Sequence, residues 1–246
     1  MIKAFFSQNS ILLREGKLLL KEAFPASAVF PKILFAVAHG ETEATKIANK
    51  SDIRGAEVSK YLSILEDYGF IKKKFPVLGG GKKDVRFFIA DRFFGFWVLF
   101  VQSFYGEIES GNRSAVLSDF EKKKKYFYAK EFESLVEELF AKRKELVPFT
   151  VKKIGKQWWK KQKETYEIDV VGYNEETKQI LYCECKWKEK VLPTPLLLKL
   201  EEKIRNLDWK KDERMEYIVL FAKSFTEKPK QWKSIPVRCF DIKDIE

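Results

Sequence analysis

Apolar positions along this chain follow one rhythm in its first half and another in its second. Between about 28 and 90 they recur every three or four residues, the spacing of short amphipathic helices. The run AVFPKILFAVAHG predicts an apolar helix closed by Gly40 at the position after its C-cap. Thr42 is placed to cap a second helix, EATKIANK, whose Ala44, Ile47 and Ala48 share a face. The turn SDIRG leads to AEVSKYLSILEDYGF, with Val58, Leu62 and Leu65 facing inward and Gly69 ending it. This is helix-turn-helix spacing. Two strands, IKKKFPVL and DVRFFIA, joined by the tip Gly79-Gly80-Gly81-Lys82-Lys83, complete a winged helix-turn-helix domain. The aromatic segment FFGFWVLFVQSF follows as a buried or interfacial helix. The domain is bounded at 28–110, with 1–27 a helical lead-in and 111–128 a linker.

From 129 to 246 helices alternate with strands. KEFESLVEELF carries Phe132, Leu135, Val136, Leu139 and Phe140 as a helical stripe within a helix at about 129–144. Strands are predicted near 147–154, 165–173 and 179–188, then a helix at about 194–209 with Pro193 and Pro195 at its start. MEYIVLFAKSF is a continuous apolar run suited to a strand buried on both faces, and VRCFDI is the last strand. The order is α-β-β-β-α-β-β, and the whole chain is of α+β or α/β class.

Charge changes the picture by its location. Lys and Arg outnumber Asp and Glu by 47 to 36, a net +11 that suits a polyanionic partner, although Lys- and Glu-rich surfaces also typify thermophile proteins. Residues 142–163 hold nine basic residues against one acid, Glu145, and so carry +8 of that charge. Within this stretch Lys152, Lys153, Lys156, Lys160 and Lys161 are interleaved with Trp158 and Trp159, a pattern that suits phosphate contact and base stacking. In the front half Lys72, Lys73, Lys82, Lys83 and Arg86 make the wing more basic than the helix AEVSKYLSILEDYGF, whose outward positions include Glu57, Lys60, Ser63, Glu66 and Asp67. Phosphate contact or protein docking is expected there rather than base readout. The run 122–125 reads as solvated linker.

Several classes are excluded. Three cysteines without CxxC spacing give no disulfide framework or zinc site, and one histidine, His39, rules out the usual serine triad. The glycines at 79–81 lie between strands and lack the GxxxxGK[ST] of a phosphate loop. MIKAFFSQNS turns polar too soon for a secretory signal, and FFGFWVLFVQSF is too short to span a bilayer, so the expected setting is cytoplasmic without membrane contact.

The candidate chemistry is Asp169 in YEIDVVGY and Glu184 with Lys186 in LYCECKWK. If Asn174 and Gln179 flank a four-residue loop, paired positions sum to 353 and Asp169 lies opposite Glu184. Cross-strand β-carbons are then about 4.5–5.5 Å apart, close enough for two carboxylates to share one divalent cation. Alternation puts Lys186 on the Glu184 face, turned outward, and Leu181, Cys183, Cys185 and Trp187 on the other, in a core. A cross-strand ion pair on a solvated sheet is the plainer alternative. A carboxylate between Ile168 and Val170 is nevertheless costly without a partner.

Asp169 followed by Glu184-Cys185-Lys186 resembles the motif of the restriction-endonuclease-like, or PD-(D/E)xK, nucleases, with Ile168 where members often have proline. The resemblance implies that Asp169 and Glu184 hold Mg²⁺ (or Mn²⁺), with a backbone carbonyl near Cys185 as a further ligand. It also implies that Lys186 orients water or stabilises an oxyanion. By likeness to the family's Phe-Glu-x-Leu-Val pattern Glu133 is the helix carboxylate, with Glu137 and Glu138 as alternatives. YLSILEDYGFI, KKKFPVL and IADRFFGFWVLF before such a domain further resemble the C-terminal half of archaeal AAA+ ATPases, with SQNSILLREGKLLLKEAF similar to the segment leaving the ATPase module. That P-loop module is missing here, so ATP hydrolysis is not carried over. The resemblance implies a fragment, a split gene or a chain acting with a partner ATPase. It implies Mg²⁺-dependent hydrolysis of DNA by structure rather than sequence, or else a catalytically inactive DNA-binding or docking module.

Overall fold

The computed structural model describes Phe6, residues 10–25 and residues 27–244, with the side chain of Lys82 outside the description. The chain divides into two compact units. One takes in the residues up to Lys74 together with Val85–Lys125, and the other takes in Phe75–Asp84 and the chain from Tyr126 onward.

The first unit has the helix, helix, helix, hairpin order of a winged helix. Helices Val29–Ala38, Ala44–Ser51 and Gly55–Asp67 precede strands β1 (Ile71–Lys74) and β2 (Arg86–Ile89), which pair antiparallel. Gly40 and Gly69 sit at φ 99° and 74°, where a side chain would be strained, and each ends its helix as the sequence predicts. Thr42 does not cap. Glu43 holds the N-cap position without a side-chain bond, and the Thr42 carbonyl instead accepts from Phe87 N at 2.9 Å. The aromatic segment is helix Arg92–Phe100, capped by Asp91 through Phe94 N at 2.7 Å. Phe94, Trp97 and Phe100 are buried, so this helix is core.

The described part of the lead-in belongs to the same core, and the rest of 1–27 lies outside the described residues. Helix Ile11–Ala23 buries Leu13 and Leu20, and Trp97 Nε1 donates to Leu13 O at 2.9 Å. Gly16 lies against the Trp97 indole so closely that a β-carbon would come within 2.2 Å of it. The segment 111–128 is likewise no linker, because a single helix runs over Ser114–Lys142. The ion pairs Lys123–Asp119 at 2.9 Å and Lys124–Glu121 lace its surface, and this i,i+3/i+4 pairing explains why a lysine run there remains helical.

In the second unit a six-stranded sheet is ordered β3-β4-β5-β6-β8-β7, with β3 Lys153–Lys161, β4 Glu164–Asn174, β5 Gln179–Lys186, β6 Met215–Ala222, β7 Gln231–Trp232 and β8 Ile235–Phe240. β3 to β5 form an antiparallel meander, while β5, β6 and β8 run parallel. Alternation sorts the sheet's two faces. Ile180, Tyr182, Ile218 and Leu220 meet Leu197, Leu200 and Ile204 of helix Pro193–Arg205. Leu181, Cys183, Cys185 and Phe221 meet Phe132, Val136 and Phe140 of the long helix. The α-β-β-β-α-β-β order therefore stands, with β7 as a short addition. Residues 147–152 are not strand. The first strand begins at Lys153 and carries Trp158 and Trp159, because the apolar stretch before it contains Pro148, which has no N–H to give a ladder.

Phe75–Asp84 belongs to this unit rather than to a free wing. Val77 N donates to Lys156 O at 3.1 Å, Leu78 N to Gln157 Oε1 at 2.9 Å, and Trp158 Nε1 to Asp84 O at 2.7 Å.

Candidate active site

Asn174 pairs with Gln179, and the β4–β5 register runs from there to Val170 opposite Cys183. Asn174 Oδ1 accepts from Glu176 N at 3.1 Å, which folds the four-residue loop. The predicted register therefore holds over five pairs, and continuing it sets Asp169 across from Glu184. There the ladder stops. Cys185 N donates to Asp169 Oδ2 at 2.8 Å, so the aspartate side chain takes an amide that strand pairing would otherwise use.

A bulge explains the interruption. Gly155 pairs with Val171 and Gln157 with Ile168, which leaves Asp169 and Val170 together opposite the single residue Lys156. The extra residue shifts the alternation, so that Ile168, Val171 and Tyr173 share one core while Val170 joins the other. Such bulges re-aim side chains.

Carboxylates of Asp169, Glu184, Glu133 and Glu167 gather around this point with the ammonium groups of Lys156, Lys186 and Lys203, and Lys130 faces Glu133 and Glu167 beside them. Glu184 is 5 % and Asp169 8 % exposed. Lys203 Nζ lies 2.5 Å from Glu184 Oε1, and Lys186 Nζ lies 3.6 Å from Glu184 Oε2. Lys156 Nζ bridges Glu133 Oε2 at 2.8 Å and Glu167 Oε1 at 2.7 Å. Burial and then the neighbouring Asp169 charge push the carboxyls of both Glu133 and Glu184 above the usual range. Burial pulls the Lys186 ammonium down, but Asp169, Glu184 and Glu133 outweigh it and the net shift is upward. The Lys156 ammonium is raised in the same way against its own burial, by Glu133, Glu167 and Asp169. All four predicted catalytic residues, Asp169, Glu184, Lys186 and Glu133, thus belong to one electrostatic cluster.

The Glu184 face is not turned outward as the sequence suggested. Helix Pro193–Arg205 covers it, and that helix delivers Lys203. Arg214 locks the helix end in place, donating to Ile204 O at 3.0 Å and Leu207 O at 2.7 Å. Lys203 was missed by sequence reasoning. Its position beside Leu200 and Ile204, which form the helix's buried stripe, was the available signal.

Oxygen donors of this kind suit a hard cation such as Mg²⁺, which retains several waters and needs few protein ligands. Among the described residues no three His, Cys, Asp or Glu side chains form a metal cage. The Cys183 and Cys185 thiols are buried in the opposite core with their ionisation pushed up by burial, so Cys185 offers backbone and not sulfur.

The proposed nucleic-acid residues separate into two sets. Lys156 is held by Glu133 and Glu167, Lys161 pairs with Asp208 at 3.1 Å, and Lys73 pairs with Glu66 at 2.9 Å. Trp158 is core, 5 % exposed, while Trp159 donates to Asn206 O at 3.0 Å and stacks on Tyr166. Neither indole is a free stacking platform. Arg86 is buried, and the Lys82 side chain lies outside the description. Lys72, Lys83, Lys152, Lys153 and Lys160 are exposed.

Residues 97–205 match the family model DUF234, described as archaea bacterial proteins of unknown function, a span that contains Glu133, Asp169, Glu184, Lys186 and Lys203. An uncharacterized protein of Methanocaldococcus jannaschii is 28 % identical over 184 residues, 74 % of this chain and 40 % of that protein's length. The chain thus spans well under half of that relative. The zinc-responsive MarR family member ZitR of Lactococcus lactis is similar at a TM-score of 0.26 and 17 % identity, over 49 % of this chain and 76 % of its own, too slight a likeness to carry an argument about fold. Among the described residues no helix is long and apolar enough to cross a membrane.

Proposed function

We propose that the second unit is a Mg²⁺- or Mn²⁺-dependent phosphodiesterase of the restriction-endonuclease-like class that acts on nucleic acid, DNA first. The observation that carries the reading is the bulge that sets the Asp169 carboxylate on Cys185 N, beside the buried Glu184 and the partly exposed Lys186. Asp169 and Glu184 would hold the cation, with backbone oxygen near Cys185. The cation, when bound, supplies an acidified water and neutralises charge on the phosphate. Lys186, kept protonated by the surrounding carboxylates, orients that water and balances the developing oxyanion. Lys156 fixes Glu133 at the edge of the site, and Lys203 holds Glu184. Helix-turn-helix order in the first unit suits a substrate-positioning or docking role, with an ATPase as a candidate partner.

A second reading, a structural cluster without catalysis, draws on the lysine pairing of Glu133 and Glu184. The deciding experiment is a cleavage panel of single-stranded, duplex, flap and junction DNA, with and without Mg²⁺ or Mn²⁺. Wild type cutting at least one substrate faster than Lys186→Ala supports the nuclease. Equal rates leave the structural reading.

A further inference from the structure

Strand β3 runs from the carboxylate cluster back to a recess of about 330 Å³ that is built within residues 140–154. Its floor is apolar, with the half-buried Val147, Phe149 and Ile154 over the buried Phe140, and Phe149 is backed by Tyr217 at 5.4 Å between ring centroids. Its rim carries the exposed Lys144, Lys152 and Lys153. Among the described residues no acid lies within ion-pairing distance of these three, and the Lys153 ammonium sits over the face of Tyr173 at 5.9 Å. Glu145, the one acid of the neighbouring basic stretch, is taken by Arg143 at 2.7 Å.

We propose that this recess binds an unstacked nucleotide of a single-stranded segment, with a base on the apolar floor and the adjoining phosphates on Lys144, Lys152 and Lys153. Three lysines without an ion-pair partner among the described residues, over an apolar floor with Phe149, complement a single strand, since each base exposes a π-face and each linkage one negative charge. A duplex keeps its bases stacked and cannot fill a concave apolar recess without opening. The position fits a substrate already held at the carboxylates. Lys153 is three residues from Lys156, roughly 10 Å along a strand. Phe140 is seven residues from Glu133, about 10 Å along a helix. The proposal rests on the nuclease reading for where the reacting phosphate lies, but the binding itself does not need catalysis.

The test is fluorescence anisotropy with labelled oligothymidine and with a duplex of the same length, in EDTA. The variant is Lys144→Gln/Lys152→Gln/Lys153→Gln. The control is Lys190→Gln/Lys199→Gln/Lys211→Gln, three exposed lysines of the same unit with the same change in net charge. The rim variant is expected to weaken single-strand binding by about tenfold and to reduce the salt slope by about two, while the control and the duplex change by less than about threefold. An equal loss in the control, or an equal loss for the duplex, overturns the proposal. If wild type binds through the rim but cuts nothing with Mn²⁺, the nuclease reading fails and the recess stands. If it cuts normally and the rim variant binds and cuts like wild type, the recess fails alone.

Discussion

Two groups of lysines in the same unit have opposite surroundings. Around Asp169 every ammonium faces carboxylates: Lys156 has Glu133 and Glu167, and Lys186 and Lys203 have Glu184. Around the recess at 140–154, Lys144, Lys152 and Lys153 have no ion-pair partner among the described residues. Net charge treats these groups alike, yet only the second offers uncompensated attraction to a polyanion. The first instead holds neighbouring carboxylates under lysine counter-ions, and it is there that the proposed divalent cation would take the place of ammonium groups. One group thus suits chemistry and the other suits grip.

The largest expected effect concerns the first group. Asp169→Ala removes both the proposed cation ligand and the acceptor of Cys185 N, and should lower the cleavage rate by roughly 10²–10³-fold in a single-turnover assay. An unchanged rate would put the chemistry elsewhere.

Next comes Lys203→Met. Without metal it leaves Glu184 only the more distant Lys186, at 3.6 Å, and should cost about 1–3 kcal/mol in urea unfolding, less than a fully buried pair because Lys203 is partly exposed. Added Mn²⁺ should abolish most of that loss. A loss that persists in Mn²⁺ would mean that the lysine packs rather than compensates.

A smaller effect is the dependence on pH. Glu133 and Glu184 have folded-state pKa values raised above their unfolded ones, so they favour the folded state while protonated, and that contribution is lost as pH rises through the raised values. Metal-free protein should therefore melt at progressively lower temperature as pH climbs out of the acid range, and Glu184→Gln should flatten the trend. A profile identical in Glu184→Gln would remove the carboxylate repulsion from the account. Smallest of all, Lys161→Ala breaks only an exposed pair with Asp208 and should alter stability by less than about 1 kcal/mol.

The hairpin that carries the motif could be read from the letters because its determinants are local. A polar loop opening with Asn174, between two apolar runs, fixes the register, and five pairs follow it. The bulge could not be read this way. Two residues opposite one becomes visible only when β3 is aligned with β4, and β3 itself was misplaced because its basic residues resembled a surface patch. Distant partners were hidden for the same reason. Lys203 lies 19 residues beyond Glu184, and Lys156 lies 23 beyond Glu133, so the two ion pairs exist only in the folded sheet. Tryptophans beside lysines looked like stacking platforms, whereas the fold uses both indoles as structural hydrogen-bond donors.

The central claim is that Asp169 and Glu184 together form a divalent-cation site. Calorimetric titration of Mn²⁺ into wild type and Glu184→Gln at neutral pH addresses it directly. The account predicts saturable binding by wild type that weakens by an order of magnitude or more in the variant and diminishes as pH falls. Absence of binding, or equal binding by both proteins, would contradict it.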